Sequence, residues 1–191
     1  MNTKITQMIQ DSLKVQETLL DQDELIAQIA ARLIEALRAG HKIFVCGNGG
    51  SAADAEHLAA ELVGRFLVER KAYPAMALTT NTSLLTALGN DYGYDSVFVR
   101  QVEAFVEPGD VVIGITTSGN SPNVLRALER ARDRGAVTIG LTGESGGKLK
   151  ALADLCLCVA SRHTPRIQEA HTLVIHSVCA LVETALAEAL S

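Results

Sequence analysis

Positive charge is scarce in this 191-residue chain: 17 lysine and arginine side chains stand against 22 aspartates and glutamates, for a formal net charge of -5. No global positive field draws nucleic acid or an anionic membrane surface to it, so local dipoles must hold any phosphate that it binds. No uninterrupted apolar run approaches the length of a membrane span, and the N-terminus, beginning Asn2-Thr3-Lys4, has no apolar stretch of the secretory kind. Together these absences predict a soluble cytoplasmic protein with neither nucleic-acid nor membrane partners. Proline is also rare, with four residues, and no proline-rich linker, low-complexity segment or internal repeat divides the chain. With 48% apolar residues it reads as one domain, 1–191, able to bury a substantial core. Cysteine is sparse as well, and Cys46, Cys156, Cys158 and Cys179 all lie in apolar segments, where they read as buried reduced thiols. Cys156 and Cys158 share one face of a strand, and small thiols pack there without needing a metal.

What the chain does have is alternation. Residues 3–38 carry helical spacing with a polar break near 21–23, and Gly40 stands where the second helix should stop. This N-terminal helical hairpin presents Ile26, Ile29, Leu33, Ile34 and Leu37 as one apolar stripe, suited to packing on the sheet or on a neighbouring subunit. Short β-branched runs near 42–46, 75–79, 110–115, 136–141 and 154–159 then alternate with helical segments near 51–66, 82–90, 95–106, 122–134, 148–152 and 165–189. The expected fold is therefore α/β: a five-stranded parallel sheet, doubly wound in the flavodoxin manner, with helices on both faces.

Two loops follow strands in this pattern and open helices. They are Gly47-Asn48-Gly49-Gly50-Ser51 and Thr116-Thr117-Ser118-Gly119-Asn120-Ser121. A helix N-terminus leaves backbone N–H groups free with the positive end of the helix dipole behind them, which suits an anion. Hydroxyl side chains add donors without adding charge. Either loop alone reads as an ordinary tight turn, whereas the matched pair reads as one phosphate cradle. Ala52 interrupts the G-x-G-x-x-G fingerprint of dinucleotide folds, and the G-K-[ST] ending of a P-loop is absent, which argues against dinucleotides and ATP. A third glycine-rich loop, 142–147, follows the fourth strand on the same edge of the sheet.

Beyond the first loop, His57 and Glu61 stand four residues apart on one helix face. Such a pair is either an ordinary surface i,i+4 contact or the start of an acid–base site. The last helix carries Gln168, His171 and His176 in an otherwise apolar stretch, where polar groups require partners. Gln168 and His176 lie eight residues apart, about 12 Å along a straight helix. Neither proline nor glycine lies between them, so one helix brings both to a common point only with difficulty.

These segments, with Asp54–Arg65, Gly89-Asn90-Asp91 and Arg166–His171, resemble the SIS (sugar isomerase) domain family, and within it the phosphoheptose isomerases, almost from end to end. The resemblance implies an aldose–ketose isomerisation of sedoheptulose 7-phosphate to D-glycero-D-manno-heptose 7-phosphate, feeding heptose synthesis for lipopolysaccharide core or similar glycans. It further implies that Asn48, Gly49, Gly50, Ser51, Glu61, Asn90, Asp91, Thr116, Thr117, Ser118, Ser121 and Gln168 contact substrate. His57, Glu61, Gln168 and His176 would hold a zinc ion, Glu61 and His176 would exchange protons, and the protein would be a homotetramer. The helix-length argument then assigns Gln168 and His176 at a given ion to two different subunits. Thr116 replaces the serine frequent in the family, and Pro165 replaces an acidic residue expected in enterobacterial members. A rival within the same fold is a noncatalytic regulator that binds the bacterial replication initiator; it lacks the groups matching Glu61 and His176, both of which this chain keeps. A phosphosugar sensor is the third reading, but no DNA-binding segment accompanies the domain.

Overall fold

A computed structural model describes residues 2–187. Its strands β1 (Ile43–Gly47), β2 (Ala75–Ala77), β3 (Val111–Thr116), β4 (Val137–Thr142) and β5 (Leu155–Cys158) form one parallel sheet in the order β2-β1-β3-β4-β5. Every residue of β1 and β3 is buried, as expected for strands covered on both faces. Ile43 and Val45 join Val111, Ile113 and Ile115 in one core layer, while Phe44, Cys46 and Val112 point into the other. The first layer lies under α2 (Asp23–Arg38), α3 (Gly50–Val63) and α8 (Thr164–Ala187). The second lies under α5 (Val99–Phe105), α6 (Pro122–Asp133) and the short α7 (Leu149–Leu152). Gly114 on β3 lets α6 approach closely, because a Cβ there would stand 2.6 Å from Leu128 and 2.8 Å from Val124.

Strand order reverses direction between β1 and β3, and ligands in open α/β sheets bind at that switch point beyond the carboxyl ends of the strands. The loops after β1 and β3 are the two that carry the glycine and hydroxyl motifs. α4 (Thr82–Tyr92) approaches this edge through a short 3-10 turn, Tyr94–Ser96.

α8 is long and apolar enough by composition to cross a membrane, but its apolar face is core. Ile167, Val174, Ile175, Val178 and Val182 are buried against the sheet layer, and α2 and α3 lie along it. α1 (Asn2–Glu17) and α2 are joined by a 3-10 turn, Thr18–Gln22, where the polar break predicts one. α1 buries none of its residues and is tied to α8 through polar contacts: Arg166 donates to the Met8 carbonyl, and the Ser12 hydroxyl donates to Glu169 Oε2 at 2.7 Å. The described cysteines are all free thiols, and burial pushes those of Cys46 and Cys179 up to about 12.

α3 stops at Val63, short of the expected 66, because a distant side chain takes the chain over. The buried Glu183 carboxylate accepts the N–H groups of Phe66, Leu67 and Val68 at 2.8, 2.6 and 2.8 Å and Arg70 Nε at 3.2 Å. Arg70 in turn donates to the carbonyls of Glu61 at 2.7 Å and Leu62 at 2.9 Å, binding this segment to the end of α3.

Candidate active site

The first loop turns on glycine. Gly49 has φ 56°, in the left-handed region, and a Cβ on Gly47 would meet the Ser51 carbonyl at 2.5 Å. No described side chain caps α3; its Ser51 and Ala52 N–H groups turn onto the Asn48 and Gly49 carbonyls at 3.0 Å, and the positive end of its dipole faces the sheet edge. Ser51 is buried at its base. In the second loop Thr116 Oγ1 lies 2.8 Å from Ser121 Oγ and 3.3 Å from Ser118 Oγ, gathering three hydroxyls at the start of α6. Ser121 thereby makes no cap bond to α6, whose Val124 N–H instead donates to Asn123 Oδ1 at 3.0 Å. The third loop backs the second: Gly119 packs against Gly146, the Lys148 N–H donates to Asn120 Oδ1, and the Gly143 N–H donates to the Thr117 carbonyl.

Asn90 and Asp91 end α4 on the surface, where the Asn90 amide donates to Asp91 Oδ1 at 2.8 Å. The following turn brings the Tyr94 hydroxyl to Asn48 Oδ1 at 3.4 Å.

Two turns into α3, about 10 Å from its start, His57 Nε2 lies 3.1 Å from Glu61 Oε1, and His176 Nε2 from α8 lies 3.3 Å from His57 Nε2. The i,i+4 pair is thus no isolated surface contact, for a third group crosses from another helix to meet it. The imidazole rings meet edge to face with centroids 4.9 Å apart, and Phe66 lies on the far side of His176 at 5.5 Å. All three side chains are half-buried. Two imidazole nitrogens facing each other must share a proton or a cation, because neither can donate to a second donor.

α3 and α8 run side by side in the same direction, which separates the candidates on α8. Gln168 packs against Gly50 at the first loop, Thr172 donates to Asp54 Oδ1 at 3.3 Å, and His176 reaches His57. Gln168 and His176 therefore occupy different ends of the cleft. His171 turns the other way, into the core, where it is fully buried beside the Thr142 carbonyl at 3.2 Å, and burial lowers its pKa to about 4. Of the three polar residues weighed on this helix, it is a core histidine. Two residues of the site gave no separate signal. Asp54 sits between the first loop and His57, with burial raising its pKa against the opposing Thr172 hydrogen bond. Asn123, in the first turn of α6, pairs with Asn48 across 75 residues of chain.

A family model for the SIS domain matches residues 7–143. The chain is 61% identical over 166 residues to a phosphoheptose isomerase of Pelobacter propionicus, covering 87% of this chain and 88% of that protein. It is 51% identical over 189 residues to one from Aneurinibacillus thermoaerophilus, covering 97% and 96%. The solved structure of phosphoheptose isomerase GmhA from Neisseria gonorrhoeae superposes with a TM-score of 0.91 at 42% identity, covering 96% of this chain and 98% of that one. The chain belongs to the phosphoheptose isomerases of the SIS-domain family.

The cleft of this phosphoheptose isomerase has two ends, with neutral donors at the sheet edge and titratable groups two turns along α3. The His57, Glu61 and His176 donor atoms all lie within 4.8 Å of one another. Their closest separations of 3.1 and 3.3 Å suit a divalent cation, since donors at ~2.0–2.1 Å from zinc in a tetrahedral arrangement stand ~3.3 Å apart. Two imidazoles and a carboxylate without a thiolate form a set that several divalent metals accept. Pro165 fits the first turn of α8, where its missing N–H costs nothing, and Thr116 keeps the hydroxyl that meets Ser121.

Proposed function

We propose that the protein interconverts sedoheptulose 7-phosphate and D-glycero-D-manno-heptose 7-phosphate through an enediol(ate), in the cytoplasm, at the entrance to heptose synthesis for surface glycans. The observation that carries this reading is the meeting of His57, Glu61 and His176 two helical turns from an uncapped, hydroxyl-lined helix start. That separation is comparable with the length of an extended seven-carbon chain, so a phosphate in the loops leaves the carbonyl end of the sugar at the titratable groups.

Gly49, Gly50 and Ser51 offer backbone and hydroxyl donors to the phosphate from one side, and Thr116, Thr117, Ser118 and Ser121 offer theirs from the other. Asn90 and Asp91 take sugar hydroxyls from the surface end of α4. Moving the carbonyl requires taking a proton from C1 and returning one to C2 while hydroxyl protons exchange. Glu61 keeps one oxygen on His57 and takes the carbon-bound proton with the other. His176 moves protons at the sugar oxygens, and Phe66 against its ring limits the directions it can turn. When a zinc ion is bound, His57, Glu61 and His176, with Gln168 as fourth ligand, would hold it in place of the His57–Glu61 contact, Glu61 would leave the ion to act as base, and the ion would supply Lewis-acid polarisation of the sugar carbonyl.

The fourth ligand comes from a neighbouring subunit, making the assembly a homotetramer with sites at its interfaces. In support, Gln168 within one chain packs at Gly50, about 12 Å along α8 from His176. Further support comes from the exposed apolar row Ile5, Met8, Ile9 and Leu13 on α1, which suits a second copy. The regulator reading is disfavoured by Glu61 and His176 meeting as a working cluster rather than lying apart. Incubation of the protein with sedoheptulose 7-phosphate, with sugar phosphates resolved by anion-exchange chromatography, tests the proposal. An aldose phosphate should accumulate, fall away after dialysis against a chelator and return with Zn2+; ketose that binds but never converts would overturn it.

A further inference from the structure

The two phosphate loops are joined by an amide latch that neither the motifs nor the reaction accounts for. Asn48 Nδ2 donates to Asn123 Oδ1 at 2.9 Å, and Asn123 Nδ2 donates back to Asn48 Oδ1 at 2.8 Å. The Val124 N–H also donates to Asn123 Oδ1, at 3.0 Å, which fixes which end of that amide is oxygen. The orientation of Asn48 follows, and the Tyr94 hydroxyl at 3.4 Å from Asn48 Oδ1 agrees with it. Asn123 is 2% exposed, so this pair is held away from competing water. Both carbonyl oxygens and one N–H of each amide are then committed within the protein, leaving the second N–H of Asn48, the less buried partner, for a ligand.

The latch spans a point of electrostatic tension. β1 and β3 are adjacent, and α3 and α6, which follow them, both aim their positive ends at the same gap, with no cap bond from Gly49 or Ser121. Without an anion those ends repel and the loops tend to part. A reciprocal amide pair closes the gap without adding charge, so the field that attracts phosphate is undiminished. We propose that Asn123 is a positioning residue for the phosphate: by locking Asn48, it fixes the spacing of the two loops so that both grip one phosphate together. This rests on the isomerase reading and assigns the registration of its phosphate end to a residue outside the loop motifs.

The test reads phosphate-end affinity separately from turnover. Inorganic phosphate is measured as a competitive inhibitor, alongside KM and kcat, for the wild type, Asn123→Ala, Asn123→Asp, Asn48→Ala and the double alanine variant. Loss of the two latch hydrogen bonds, together with the one from the Val124 N–H, in Asn123→Ala should raise KM and the phosphate inhibition constant together, by about tenfold. Turnover at saturation should change by less than about threefold, since the latch touches no reacting atom. Asn123→Asp keeps both acceptor contacts and sets a negative charge beside the phosphate, so its loss should exceed that of alanine. It also carries the test if Asn123→Ala does not fold. The double variant should be no worse than the more affected single variant, because either substitution opens the latch. A folded Asn123→Ala with wild-type KM and phosphate inhibition, or additive losses in the double variant, would overturn the latch while leaving the isomerase reading in place. A wild-type protein that neither responds to phosphate nor isomerises would overturn both.

Discussion

Glu61 has to serve two neighbours at once. Its Oε1 lies 3.1 Å from His57 Nε2, and in the proposed reaction the remaining oxygen takes the proton from carbon. Glu61→Gln preserves shape and hydrogen bonding but removes basicity, so kcat should fall by ~10²–10⁴. Phosphate should still bind, which steady-state kinetics with phosphate inhibition checks directly. His171 makes a contrasting prediction about stability. Burial lowers its pKa from the ordinary 6.5 to about 4, so on acidification the unfolded chain takes up a proton that the folded chain refuses. Stability is then fully present above 6.5 and declines between 6.5 and 4, with a slope of up to ~1.4 kcal/mol per pH unit from this residue. Urea unfolding of His171→Gln across that window should show a flatter profile than the wild type; an equal slope would remove His171 as the cause. At this scale the sequence was informative where partners are close in the chain. The i,i+4 spacing of His57 and Glu61 exposed that pair, whereas Asn123 stayed hidden because its partner is Asn48, 75 residues away. Helical spacing alone did not separate His171 from His176; the family resemblance singled out His176, and the packing of α8 turns His171 to the core.

At the scale of elements, the glycine–hydroxyl loops and the β-branched strands were legible because their physics is local. Backbone freedom, helix dipoles and period-two burial need no knowledge of the rest of the chain. The end of α3 was not legible, because Glu183 on α8 fixes it through the N–H groups of residues 66–68. Glu183 and Arg70 are both nearly inaccessible, with side-chain exposures of 4% and 2%. Removing one member of such a pair strands the other charge, so Glu183→Ala should destabilise by roughly 3–5 kcal/mol. Calorimetry should read this as a fall of ~6–20 °C in the thermal midpoint. Burial alone would raise the Glu183 pKa, but the three N–H donors and Arg70 together hold it below the usual carboxylate range. Its contribution is therefore fully present above the ordinary 4.5 and lost as pH falls through that lowered value. Because Arg70 also binds the Glu61 carbonyl and Glu183 binds the Phe66 N–H, loosening this segment should reach the titratable cluster too.

At the scale of the whole molecule, the proposed division of ligands between subunits yields a sharp outcome. Gln168→Ala and His176→Ala chains, each weakly active alone, should regain activity when refolded together, since mixed interfaces restore some complete sites. Light scattering should show the assembly unchanged. Failure to complement in mixed assemblies would place the four ligands within one chain. The five-stranded parallel sheet with helices on both faces followed from alternation and strand composition, whereas an exposed row such as Ile5, Met8, Ile9 and Leu13 states only that something apolar is wanted there.

The most direct measurement is proton NMR of sedoheptulose 7-phosphate in heavy water with the wild-type protein beside Glu61→Gln. The account predicts a growing aldose signal with deuterium at C2 for the wild type and an unchanged ketose for the variant. Wild-type-rate conversion by Glu61→Gln, or a ketose that the wild type binds yet leaves unconverted and free of deuterium, would contradict it.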